Sequence, residues 1–162
     1  MFRADSAGAA LDPAEIVEIL LDGVVARVKR AVPWRPGAVE LLLALRSADV
    51  PCALVTMSYQ RFVDPILEHL PEGTFAEVVT GDAVTYGKPH PEPYLKAAAA
   101  LGVAPDQCIA IEDSNTGTRS AEDAGCTVLV VPAHVPVAAG ERRVLRETLV
   151  GMTVADLGAL RR

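Results

Sequence analysis

Residues 108–117 constrain the chain most: Cys108, Ile109, Ala110 and Ile111 run straight into Glu112 and Asp113, and Ser114, Asn115, Thr116 and Gly117 follow. An apolar run this short, bounded by turn-type residues, predicts a strand buried on both faces. Its carboxylates then stand at the strand's C-terminal end, the edge at which open α/β sheets bind ligands. Ser114 or Asn115 caps the next helix and leaves backbone N–H groups facing the same crevice. Neighbouring carboxylates repel each other, and a hard cation such as Mg²⁺, which takes oxygen ligands, relieves that repulsion. A solvated turn that starts a helix is the other reading of the same two residues.

The chain around this stretch alternates between helical and extended patterns. Asp12, Pro13 and Glu15 open a helix to about Lys29, with Ile16, Ile19, Leu20 and Val24 on one face. Pro33 and Pro36 bracket Trp34 in a stiff connector, which divides residues 1–32 from residues 33–162. Beyond it the spacing predicts helices through Ala38 and Leu45, over 62–70, over 91–101, over 116–124 and over 154–160. Strands are predicted over 52–55, 77–80, 108–111 and 127–131. Such alternation implies a mainly parallel sheet with helices on both faces and all strand ends on one edge. Residues 1–10 have no periodicity and are expected to fray.

That shared edge collects Thr56 and Ser58, Gly81 and Asp82, then Glu112 and Asp113. Thr56 and Ser58 bring hydroxyls and N–H groups suited to a phosphate oxygen, or serve only to cap a helix. Lys88 sits in Gly87-Lys88-Pro89-His90-Pro91, where flanking Gly and Pro stiffen the loop around its charge. His90 reads as a helix cap or a substrate contact. Asp82 reads as a turn residue, Trp34 and Tyr94 as packing, and His69 and His134 stand near no partner in sequence.

Composition closes off several classes. A net charge of −6 with no Lys/Arg run argues against a nucleic-acid surface. No apolar stretch is long enough to span a bilayer, so no membrane role is expected. The three cysteines, scattered and without a C-x-x-C pair, read as small packing residues in a reducing, cytoplasmic compartment.

Taken in order and at these spacings, several segments resemble the haloacid dehalogenase (HAD) superfamily of phosphohydrolases, in the group similar to β-phosphoglucomutase. They are Pro36-Gly37, Leu54-Val55-Thr56-Met57-Ser58, Val79-Thr80-Gly81-Asp82, Gly87 to Tyr94, Ile111-Glu112-Asp113-Ser114, Gly117 and Ala124-Gly125. The resemblance implies a Rossmann-like α/β fold and a Mg²⁺-dependent phosphatase of a small phosphorylated metabolite. It gives Thr56 the transferring phosphoryl group, with Ser58 in support. Lys88 steadies the nucleophile and the phosphoryl oxygens, and Glu112 and Asp113 hold Mg²⁺. Thr56, Lys88 and Asp113 are thus the implied catalytic set.

The first motif of that family, an apolar strand ending in Asp-x-Asp-Gly-Thr, carries the nucleophilic Asp, and no segment here matches it. The nearest, Asp5-Ser6-Ala7-Gly8-Ala9, lacks a buried strand before it. Residues 12–30 resemble the end of a helical cap. The expectation is therefore a truncated core whose central strand, between those ending at Thr56 and Asp113, is missing. Such a chain would be inactive alone and prone to self-association through its incomplete sheet. The alternative is a catalytically inactive HAD-like module that binds phosphate, Mg²⁺ or another polypeptide.

Overall fold

The computed structural model describes residues 12–133 and 135–160. The expected fraying of residues 1–10, the Asp5 match and His134 lie outside the described residues. In chain order the elements are α1 (Pro13–Arg30), α2 (Ala38–Ser47), β1 (Ala53–Val55), α3 (Gln60–Leu67) and β2 (Glu77–Val79). Then come α4 (Glu92–Ala100), β3 (Ile109–Glu112), α5 (Asn115–Ala124), β4 (Thr127–Val130), β5 (Arg143–Leu145) and α6 (Val154–Gly158).

Among the described residues every strand pairing is parallel, but the strands form two sheets. One is β1-β2, the other β3-β4-β5. In a parallel pair, alternate residues of a strand bond to the same neighbour. Thr56 N–H donates to the Val79 carbonyl, and the Cys52 carbonyl accepts from Ala76, so the even-numbered residues of β1 face β2. On β3, Cys108 and Glu112 face β4 in the same way. The backbone groups of Ala53, Val55, Ile109 and Ile111 therefore point away from their partner strands, and no described strand pairs with them.

Burial follows that division. All four residues of β4 are buried, since it has a strand on each side and helices on both faces. Val128 and Val130 join Tyr94, Ala110, Ala121 and Ala124 on the α4/α5 side. Leu129 joins Leu41, Leu45, Leu149 and Leu157 on the α2/α6 side. Burying each of these larger side chains contributes about 1.5–3 kcal/mol. The expectation that β3 is buried on both faces needs correction: Ile111 is 39% exposed. It stands on the open edge, where no described strand carries the covering layer onward.

Other departures have local causes. α3 begins at Gln60 rather than 62 because Asp82, distant in sequence, accepts the Gln60 N–H at 3.2 Å. β5 was not foreseen, since Arg142-Arg143-Val144-Leu145 has no alternation or apolar run. It is held by pairing with β4 and by the Arg143 guanidinium on Glu122 of α5, at 2.5 Å. α1 rests against α3 through Arg61, which reaches Glu18 at 2.7 Å and Asp22 at 2.5 Å. His69 also has a partner: its Nε2 lies 2.9 Å from the Val28 carbonyl.

Gly37 precedes α2 with φ of +83°, and a Cβ there would lie 2.3 Å from the Leu149 carbonyl carbon. Backbone conformation and space both demand glycine. Gly37→Ala is expected to lower stability by about 3 kcal/mol or more, measured by urea unfolding; a loss under 1 kcal/mol would mean that residues 149–150 do not seat there.

Candidate active site

The C-terminal ends of β1 and β3 are joined by one side chain. Lys88 Nζ donates to the Val55 carbonyl at 3.0 Å and to Glu112 Oε1 at 2.5 Å. Both side chains are largely buried, at 12% and 7% exposure. A charge withdrawn this far from water needs a partner, and each is the other's.

The loop that delivers Lys88 is fastened at several points. The Glu92 carboxylate accepts the N–H groups of Thr85 (2.7 Å) and Tyr86 (2.9 Å). His90 Nδ1 accepts the Glu92 N–H at 3.2 Å, the capping role read from sequence. The His90 carbonyl receives Ser120 Oγ of α5 at 2.6 Å. The Thr85 N–H, chiefly, holds the Glu92 carboxyl below the ordinary glutamate range.

Glu112 is enclosed. Oε1 also accepts the Tyr94 hydroxyl. Longer contacts reach Oε2 from Asp113 N–H (3.3 Å) and Ser114 Oγ (3.4 Å). On its other side lies Gly117, where a Cβ would sit 2.0 Å from Oε2. Ser114 caps α5 by accepting the Gly117 N–H at 3.1 Å, bringing that glycine against the carboxylate. Burial, followed by the Glu112 charge, pushes the Tyr94 phenol far up.

The remaining sequence-derived residues lie around this pair. Thr56 follows Val55, whose carbonyl Lys88 takes, and its Oγ1 accepts the Ser58 N–H at 3.1 Å. Ser58 is exposed. Asp113 is exposed too, and its carboxylate makes no hydrogen bond or ion pair among the described residues. Lys88 and Glu112 thus touch, with Thr56 and Asp113 each one residue from a group that Lys88 binds. Asp82 is a cap for α3 and takes no part.

Two carboxylates in sequence are the right donors for Mg²⁺ in kind, since both offer only oxygen. Asp113 is open, whereas Glu112 is buried, with Oε1 taken by Lys88 and Tyr94 and Oε2 accepting from Asp113 N–H and Ser114 Oγ. They fall short in number: no group of three or more metal-ligating side chains occurs among the described residues.

Sequence reasoning missed Tyr94 as a site residue. The available signal was a tyrosine, not a phenylalanine, on the apolar face of a helix, because a buried hydroxyl needs a partner. A cavity of about 510 Å³, lined by Arg46, Asp49, Cys52 and Glu72 among others, opens at the opposite end of β1, away from these groups.

With this geometry, the family follows from comparison. A family model for haloacid dehalogenase-like hydrolases matches residues 2–125, and the chain belongs to that family. Hexitol phosphatase A of Escherichia coli (strain K12) is 38% identical over 122 residues, 72% of this chain and 55% of that protein. Phosphoglycolate phosphatase of the same strain is 39% identical over 92 residues, 56% of this chain and 36% of that protein. The chain thus spans about half the length or less of these relatives. Among solved structures, CbbY from Rhodobacter sphaeroides in complex with phosphate matches with a TM-score of 0.80 at 27% identity. That match covers 98% of this chain and 73% of that one.

Two outcomes follow from the site. Lys88→Met leaves a buried carboxylate unpaired and is expected to cost about 3–5 kcal/mol, with the double variant Lys88→Met/Glu112→Gln recovering much of it in urea unfolding. Additive single-variant losses would show that the pair is not coupled. For Glu92, the depressed folded value means that its stabilisation is complete above the ordinary value of 4.5 and is lost as pH falls through the lower folded one. Amide-exchange protection of Thr85 and Tyr86 should therefore decline below pH 4.5 and be weak at all pH values in Glu92→Ala.

Proposed function

We propose that this chain is the core of a Mg²⁺-dependent phosphatase acting on a small phosphorylated metabolite in the cytoplasm. The observation that carries the reading is the Lys88 ammonium, seated between the Val55 carbonyl beside Thr56 and the Glu112 carboxylate beside Asp113. Phosphoryl transfer needs positioning and charge neutralisation more than covalent help from the protein, and a rigidly held ammonium supplies both. The names of the two Escherichia coli relatives support the same class of substrate.

In this reading Lys88 draws the phosphoryl oxygens toward the crevice. Thr56 presents its hydroxyl and Ser58 supports it. Asp113, with Glu112, would hold Mg²⁺, which when bound neutralises phosphate charge. The nucleophilic Asp comes from a strand outside the described residues, inserted between the open edges at Ala53–Val55 and Ile109–Ile111. The phosphoryl group passes to that carboxylate as the substrate's alcohol leaves, and water then attacks the phosphorus of the aspartyl-phosphate to release inorganic phosphate and restore the Asp. α1 is the end of a helical cap, with the core beginning at residue 33.

A second reading is favoured by those two unpaired edges. Without a strand between them the chain is a non-hydrolytic binding module, and pairing of the edges with another polypeptide or a second copy gives self-association.

The test is turnover. The 162-residue chain with Mg²⁺ is expected to show no hydrolysis of p-nitrophenyl phosphate or acetyl phosphate above a Lys88→Ala control. A form carrying the additional strand is expected to hydrolyse sugar phosphates or phosphoglycolate, and to lose that activity in Lys88→Ala and Asp113→Asn. Turnover by the 162-residue chain itself would place a nucleophile within it, with Asp5 the first to replace. A strand-completed form with no phosphatase activity would leave the binding module.

A further inference from the structure

Tyr94 lies on the inner face of α4 and packs with Ala110, Val128 and Val130. A phenylalanine would fill that space without burying a hydroxyl. Here the hydroxyl donates to Glu112 Oε1, the oxygen that also receives Lys88. The Lys88 nitrogen stands 3.4 Å from the Tyr94 oxygen and 5.0 Å from the ring centroid. The hydroxyl thus fixes the carboxylate that pairs with the ammonium and offers the ammonium a second oxygen. Gly117 also packs against that carboxylate, so Glu112 has little room to turn.

We propose that Tyr94 is a positioning residue: its hydroxyl sets the rotamers of Glu112 and Lys88, and so aims the ammonium at the Val55–Thr56 end of β1. What the aimed ammonium meets rests on the phosphatase reading above. The aiming itself involves only this chain's own side chains. Lacking the hydroxyl, Glu112 Oε1 keeps a single donor, and Lys88 is free to follow it or to swing toward solvent.

Nuclear magnetic resonance of the ¹⁵N-labelled 162-residue chain tests this directly. The Lys88 ammonium, assigned by its loss in Lys88→Met, is expected to give a slowly exchanging signal in the wild-type chain. In Tyr94→Phe that signal should shift, and its protons should exchange with water roughly tenfold faster. The melting temperature should change by no more than about 2–4 °C. Glu112→Gln should release the same signal. An unaltered Lys88 signal in Tyr94→Phe overturns the proposal, because a pure packing role predicts that silence. If Tyr94→Phe fails to fold, the wild-type spectrum decides: a downfield Tyr94 hydroxyl proton near Lys88 upholds the proposal, and its absence overturns it. Titration with inorganic phosphate keeps the two readings apart. A Lys88 signal disturbed by Tyr94→Phe but unmoved by phosphate sinks the phosphate role and leaves the positioning role standing.

Discussion

The buried pair between Lys88 and Glu112 is the contact on which the arrangement depends, because β1 and β3 share no backbone hydrogen bonds. A parallel sheet ordinarily aligns its strand ends through its ladder. Here the alignment falls to one ammonium, which takes a carbonyl from one sheet and a carboxylate from the other. Isolated buried ion pairs seldom add much net stability, since desolvation offsets attraction, but they are exacting about geometry. That exactness fixes where the ammonium stands between the two strand ends. Helix α4 helps by lying against β1, β2 and α5 together, and it carries Tyr94 to the pair.

Much of this was legible in the residues because local chemistry dictated it. The Ile109–Glu112 strand, the Ser114 cap, the stiff Lys88 loop and the alternation of elements each depend on neighbours within a few positions. What escaped depends on distant partners. The start of α3 is set by Asp82, and β5 exists because β4 offers an edge and Glu122 a counter-charge. The exposure of Ile111 reflects what stands beside β3, which no pattern within β3 encodes. Tyr94 was half legible: its spacing marked the buried face, and its hydroxyl called for a partner that only the fold supplies.

Family membership and local geometry bear on different questions. The family model and the curated relatives identify the scaffold, and the chain spans about half the length of those relatives or less. Within the described residues, Thr56, Lys88 and the open carboxylate of Asp113 gather at the strand ends. The open edges of β1 and β3 flank the same region. A strand entering between them would run its C-terminus toward Lys88 if it paired in parallel, as every other strand does.

The seat of Gly37 against Leu149 and Val150 has a consequence for how the protein is made. Half of the apolar core, around Leu41, Leu45 and Leu129, is completed by Leu149, Met152, Val154 and Leu157. A nascent chain folds as it emerges from its N-terminal side. The cluster beneath α2 therefore stays incomplete until residues beyond 149 have left the ribosome, more than a hundred residues after α2 itself. Pauses in translation past β4 would lengthen the time for which that cluster stays incomplete.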